Sequence, residues 1–396
     1  VSQTIPAFNN HLPVRVHFGE AGALRLAEII RDLGATRVLV LLDEGIEDHN
    51  PAVVDALSAL ERSGLDVTRV AKPAGEPTIA MVDAATDQMR EARADVFVAI
   101  GGGSVIDTAK AARLCGQLGC TFGEFLDSER RYPEAVVPLI AVPTTAGTGS
   151  EVSGGAVVSD PGNDRKAGIA HPHLRAQYAV IDPRLTRSMP GTMTANTGID
   201  ALAQAIAAIV AKVRTPIGDA IALEAVRLMG ESLAAAYRDG DDHVARSKTA
   251  CASMMAGLAM NISDCTAEHS LGQAIGGLTG AAHGLTIGLV LAETLDRERR
   301  FVPERLERVA DALGVPEDGT GDGSRAVMAI RDLLVELDFP VLSDLGITED
   351  DLDRLTDLAL EDHFLTMSPS PWSREEVRGV FERALELRSR QPVPAT

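Results

Sequence analysis

The chain has 396 residues, 45% of them apolar but only 3% aromatic, and a formal net charge of −20 at pH 7. That length supports two domains more readily than three, with cores built on Ala, Leu, Val and Ile. The charge argues against nucleic acid and anionic membrane surfaces as partners, because phosphates demand clustered Lys and Arg. The sequence shows no basic-then-apolar leader and no apolar run approaching the length of a bilayer span. Four cysteines, Cys115, Cys120, Cys251 and Cys265, do not make a disulfide framework in so long a chain. A cytoplasmic protein is expected.

The first half alternates strand-like and helix-like segments. "RVLVLL" (37–42), "DVTRV" (66–70), "DVFVAI" (95–100) and "VVPLIAVP" (136–143) are short β-branched runs. "GALRLAEIIRDLG" and "TIAMVDAATDQMREA" between them repeat at helical spacing. Such alternation predicts a mainly parallel sheet covered by helices. After "YAVIDPRLTRSMPG" (178–191) strand candidates almost vanish and helical patterns dominate, for example Val327, Ile330, Leu334 and Leu337. The expectation is an α/β dinucleotide-binding domain over 1–190 and an all-helical domain over 191–396. "PEDGTGDGSR" (316–325) reads as a surface loop and "RQPVPAT" as a frayed tail.

"VFVAIGGGSVIDTAK" is a strand, then Gly101, Gly102, Gly103 and Ser104, then a helix. Glycines let backbone approach a phosphate, and a helix start offers unpaired N–H groups and partial positive charge. A tight turn is the plainer reading, but three consecutive glycines exceed what a turn needs. The loop is neither a P-loop nor G-x-G-x-x-G. A second loop, "VPTTAGTGSEVSG" (142–154), also leaves a strand end and is rich in hydroxyls, with Thr144, Thr145, Thr148 and Ser150. Loops at the carboxyl ends of parallel strands are where α/β sheets bind ligands. Asp43 ends the first clear strand. An acid there can accept from the adenosine ribose and repel a 2′-phosphate, favouring NAD over NADP, although a helix cap or turn would also use it.

"DCTAEHSLGQAIGGLTGAAHG" (264–284) reads as a mostly buried stretch yet holds His269 and His283, with Glu268 beside the first. One histidine on an apolar face is usually a core residue. Two raise the question of a metal, which spacing alone leaves open. His171 and His173 in "AHPHL" alternate like ligands, but no acid lies close in sequence, and they read as surface or hinge residues.

Together "GGGSVIDTAK", "PTTAGTGSE", "IDPRLT…MP…TANTGIDALAQAI" and the segment ending "AAHG" resemble the iron-containing (group III) alcohol dehydrogenase family, over nearly the whole chain and in the family's order. The resemblance implies a Rossmann-like N-terminal domain and a C-terminal helical domain of the dehydroquinate synthase kind, with the active site in the cleft between them. It also implies a divalent metal held by Asp200, His269 and His283. At position 204 the family's histidine is replaced by Gln204, whose amide oxygen is a weaker, neutral donor. Asp with two histidines suits Fe(II) or Zn(II). Gln273 stands where the family often has a histidine near the nicotinamide, and it cannot exchange a proton near pH 7. The resemblance places Asp107, within the glycine motif, among the cofactor-binding residues and Lys166 near the nicotinamide ribose. It puts His363 on a loop near the cleft.

The expected function is an NAD-dependent, metal-assisted alcohol dehydrogenase or aldehyde reductase for a small substrate, working as a homo-oligomer. Two alternatives stand beside it. One is a metal-independent reductase like maleylacetate reductase, for which Arg165 and Lys166 are the only obvious basic residues near a motif. The other is a non-catalytic NAD-binding assembly protein.

Overall fold

The structure, a computed structural model, describes residues 7–128, 131–133, 136–160 and 165–386, except the side chains of Arg165 and Lys166. Lys166 therefore lies outside the described side chains, and "RQPVPAT" lies outside the described residues. The described residues form two compact units, one within 11–189 and 240–257, the other within 7–10, 190–239 and 258–386.

The α/β unit runs β1 (Arg15–Phe18), α1 (Leu26–Asp32), β2 (Arg37–Asp43), α2 (Pro51–Glu61), β3 (Asp66–Lys72), α3 (Ile79–Glu91), β4 (Val96–Gly101), α4 (Gly103–Leu118), α5 (Phe122–Leu126), β5 (Leu139–Pro143), β6 (Gly155–Asp160), β7 (Arg165–Ala170) and β8 (Tyr178–Ile181). Six strands form a wholly parallel sheet in the order β1-β8-β5-β4-β2-β3. β4 and β5 are buried along their whole length, which is why they read as continuous apolar runs. Alternate residues serve opposite faces. Val38, Val40, Val98 and Ile140 pack with α1 and α2, whereas Leu39, Leu41, Phe97 and Leu139 pack with α3, α4 and α5.

This sidedness marks a switch point. The chain moves one way from β2 to β3 and the other way from β3 back to β4 and on to β5, so α2 and α4 cover opposite faces. The carboxyl ends of β2 and β4 flank the crevice in which such sheets bind ligands. The register aligns Asp43 with Lys72, and Gly101 with Pro143, so the two predicted loops leave the same sheet edge side by side.

The sequence reading did not anticipate β1, or the antiparallel hairpin of β6 and β7. β1 has four residues, too few for a period to show. Residues 240–257 cluster with the α/β unit although they follow residue 190. Buried Arg246 holds them there, donating to the carbonyls of Gly240 (2.9 Å) and Met189 (3.2 Å).

The other unit is helical among the described residues, with α6 (Gly191–Val210), α7 (Pro216–Arg238), the end of α8 (His243–Ser263), α9 (Ala267–Thr279), α10 (His283–Glu298), α11 (Pro303–Ala312), α12 (Ser324–Glu336), α13 (Leu352–Glu361) and α14 (Arg374–Glu386). Contrary to the expectation that no apolar run approaches bilayer length, α6 is long and apolar enough to cross a membrane. Its apolar stretch is 83% buried inside the protein, which makes it a core helix.

Candidate active site

In the α/β unit, β4 runs straight into the glycines. A Cβ on Gly101 would sit 2.5 Å from Val105 Cγ2, and one on Gly103 would sit 2.7 Å from Thr148 Oγ1. Both glycines are therefore required by the unit's own packing. A Cβ on Gly102 would meet Thr145 at 3.4 Å, an ordinary contact. Its bareness is not demanded by the fold, which leaves a close-approaching ligand as its reason. α4 starts at this point with no side-chain cap, whereas α2 and α3 are capped by Asn50 and Thr78. The leading N–H groups of α4, including that of Ser104, are where an anion is best held.

The second loop is folded against the first. Thr144 N–H donates to the Gly101 carbonyl at 3.0 Å, and Thr148 Oγ1 accepts from Ser150 N–H at 3.2 Å. Thr145 and Thr148 are half-buried and Thr144 is buried. Asp43 accepts a hydrogen bond from Gly102 N–H and lies 3.6 Å from Nζ of Lys72. Burial raises its pKa, while Lys72 and the Gly102 N–H oppose the rise. The Asp107 carboxylate is already engaged, taking the Ser150 hydroxyl and, at 3.0 Å, the Val157 N–H.

Two buried lysines escaped the sequence reading. Lys72 Nζ donates to the carbonyls of Pro73 (2.8 Å) and Gly75 (2.9 Å), beside Asp43. Lys110 Nζ donates to Ser150 Oγ (2.8 Å), Ser153 Oγ (3.2 Å) and the Gly155 carbonyl (2.6 Å), tying the threonine loop to α4. The available signal was position: Lys72 ends a strand, and Lys110 lies one turn after Asp107.

In the helical unit, α6 presents Asp200 and Gln204 one turn apart, both buried. α9 carries His269 in its first turn, and α10 begins with His283. Small residues bring these helices together. A Cβ on Gly284 would lie 2.1 Å from the Asn196 carbonyl oxygen and 3.1 Å from Asp200 Cβ, so only glycine lets the start of α10 lie against Asp200. His269 Nε2 is 3.6 Å and His283 Nε2 3.8 Å from Asp200 Oδ1. One donor atom from each of the three lies within 4.8 Å of the others.

Asp200 Oδ1, Gln204 Oε1 and His269 Nε2 are buried and have no hydrogen-bond partner. Leaving each such atom unpaired costs about 1–3 kcal/mol. Ligands about 2.1 Å from a common ion at angles near 90–110° stand about 3.0–3.5 Å apart, close to the spacings seen. The residues present thus fit a divalent metal. Burial lowers the pKa of His269, and Cys265, Asp200 and Glu268 more than reverse it, leaving it well above 6.5. Cys265, whose thiol burial pushes up to about 11, is neutral at pH 7, so the two carboxylates carry that shift.

Glu268 and Phe364 are further parts that the sequence reading left without a role. Buried Glu268 takes the Nδ1–H of His269 at 2.8 Å. The Phe364 ring meets the His269 ring edge-on at 5.9 Å. Asp362 anchors this turn to α9 by accepting from Ser270 Oγ (2.7 Å) and Phe364 N–H (2.9 Å). His363 itself points outward, 69% exposed, so the loop brings its phenylalanine rather than its histidine to the metal-binding cluster. Gln273, one turn beyond His269 on α9, is exposed. The segment 264–284 is buried mainly in its first half, since Gln273, Gly277, Gly280 and Ala282 are all exposed. His171 stacks on Tyr132 at 4.2 Å, and His173 Nδ1 lies 2.6 Å from the Pro133 carbonyl.

Comparison with known proteins identifies the family. The model of the iron-containing alcohol dehydrogenase family matches residues 13–183, and that of the Fe-containing alcohol dehydrogenase family, C-terminal, matches residues 194–385. Choline dehydrogenase of Bacillus subtilis is 31% identical over 95% of this chain and 94% of its own length. 4-Hydroxybutyrate dehydrogenase of Cupriavidus necator is 34% identical over 94% of this chain and 98% of its own. The structure of sulfoacetaldehyde reductase from Bifidobacterium kashiwanohense in complex with NAD+ superposes with a TM-score of 0.89 at 27% identity, covering 97% of this chain and 100% of that one. The chain belongs to the iron-containing alcohol dehydrogenase family. It is an NAD-dependent oxidoreductase acting on alcohols, with NAD and a divalent metal as cofactors.

Proposed function

We propose that this enzyme interconverts a small terminal alcohol and its aldehyde, with the metal held by Asp200, His269 and His283 and by the Gln204 amide oxygen as a weak fourth donor. The observation that carries the reading is the set of buried donor atoms without partners on Asp200, Gln204 and His269. A metal-independent reductase would leave those atoms unpaired at a cost of several kcal/mol. The relatives named above act on small molecules, which supports a substrate of that size.

When bound, the divalent ion supplies Lewis acidity to the substrate oxygen. The chain's own residues do the rest. Gly102 and the start of α4, with Ser104, hold the NAD pyrophosphate, and Thr144, Thr145 and Thr148 line the same crevice. Asp43 takes the adenosine ribose and, by its charge, disfavours a 2′-phosphate. Asp107 positions the threonine loop through Ser150. Phe364 excludes water beside His269. Gln273 has no proton to exchange near pH 7, so the alcohol proton leaves to water. The exposed apolar residues Val16 and Phe18 on edge strand β1 support a homo-oligomer. Four free cysteines support the cytoplasm.

The test is metal analysis of protein purified without chelator, together with NADH formation from a panel of small alcohols. His269→Ala should lose the metal and fall at least ~100-fold in turnover. Full activity in a metal-free His269→Ala protein would remove the metal from the reaction.

A further inference from the structure

We propose that Glu268 is a positioning residue for the metal site, whose carboxylate strengthens His269 as a ligand and compensates for the amide at position 204. This rests on the metal-binding reading above. Glu268 is only 1% exposed, and its hydrogen bonds fix it from two sides. Oε2 accepts from the Thr266 hydroxyl, and Oε1 accepts from the Thr266 N–H at 3.2 Å. Oε1 then faces Nδ1 of His269 at 2.8 Å.

Two consequences follow for the imidazole. Because Nδ1 is held by its hydrogen bond to Glu268, Nε2 is the nitrogen whose lone pair a metal takes, and it is the buried, unpartnered atom 3.6 Å from Asp200 Oδ1. A carboxylate on the far nitrogen also makes the near nitrogen a better donor, as in carboxylate–histidine–metal arrangements. Gln204 places a neutral amide oxygen where an imidazole would bind divalent ions more strongly. A second negative charge behind His269 works in the opposite direction. The competing explanation is that Glu268 merely caps α9, whose first turn it occupies.

The experiment uses the full chain stripped of metal, with Zn(II) and Co(II) as probes. Affinity is read by competitive chelator titration and ligand geometry by the visible spectrum of the Co(II) form. Glu268→Gln keeps an acceptor of the same shape but removes the charge. It should weaken Zn(II) binding tenfold to hundredfold and shift the Co(II) bands, with melting temperature and circular dichroism unchanged. Gln204→His should tighten binding, and Glu268→Gln with Gln204→His should return close to the affinity of the unmutated chain. Thr266→Val, which frees one carboxylate oxygen of Glu268, should weaken binding several-fold and serves if Glu268→Gln does not fold. Unchanged Zn(II) affinity and Co(II) spectrum in the folded Glu268 or Thr266 variants would overturn this inference alone and leave Glu268 as a helix cap. Failure of the unmutated chain to bind either ion would overturn the proposed metal site and this inference together.

Discussion

The nucleotide loop and the metal cluster are built on opposite principles. The loop satisfies itself. Gly101 and Gly103 are glycine because Val105 and Thr148 fill the space beside them, and Asp43, Gly101 and Thr148 engage the neighbouring backbone. The cluster does not satisfy itself, since Asp200, Gln204 and His269 each keep a buried polar atom without a partner. The loop should therefore fold to the same shape with or without NAD, whereas the cluster should gain stability from its ion.

The strongest way to break this contrast is Asp200→Ala. It removes the only anionic donor of the cluster, and turnover should fall at least ~1,000-fold, about 4 kcal/mol in the barrier. The metal-free variant should melt no lower than the metal-free parent, because a buried carboxylate without a full set of partners has gone. A clear drop in its calorimetric melting temperature would mean that the apo cluster is already satisfied.

Glu298 supplies a second buried carboxylate for comparison. It accepts from Trp372 Nε1 at 3.0 Å and lies 3.3 Å from Arg297, yet burial pushes its pKa up to about 7 from 4.5. The folded state thus holds a proton that the unfolded chain has already released above pH 4.5. Stability should fall as pH rises from about 4.5 to about 7 and then level off, a loss of about 3 kcal/mol from this group. Glu298→Gln should flatten that slope in denaturant titrations and make the protein more stable at pH 8. An unaltered slope would show that burial alone does not unsettle carboxylates in this unit.

Next in size is the response to the ion itself. Zn(II) at about 100 times its Kd should stabilise the parent by about 2.7 kcal/mol and leave Asp200→Ala nearly unmoved. Thermal scans at graded Zn(II) read this directly, and equal shifts in both proteins would place the ion elsewhere.

The smallest expected effect belongs to the loop. Gly102→Val should weaken NAD by about 2 kcal/mol in titration calorimetry, with the melting temperature preserved, because its Cβ meets only Thr145. Gly103→Ala should do the reverse and lower the melting temperature through Thr148. If Gly102→Val binds NAD normally, that glycine is not where the pyrophosphate comes.

Much of this was legible in the residues because the signals are local. β2, β3, β4 and β5 show as β-branched runs, and α3 and α12 show their faces at helical spacing. The glycine run announces a close approach, and Asp200 and Gln204 share a face because they are one turn apart. What packing alone decided lies between segments distant in the chain. The role of Glu268 depends on the rotamer that Thr266 imposes, and a plain reading of adjacent helix residues gives them different faces. Phe364 reaches His269, and His363 does not, because Asp362 fixes the turn against Ser270. Lys72 and Lys110 read as surface charges until the carbonyls and hydroxyls that bury them are in place. Sequence by itself determined which residue types could bind a nucleotide and a metal. Tertiary structure decided which polar atoms find partners and which are left for a ligand, because desolvation depends on every neighbouring element at once.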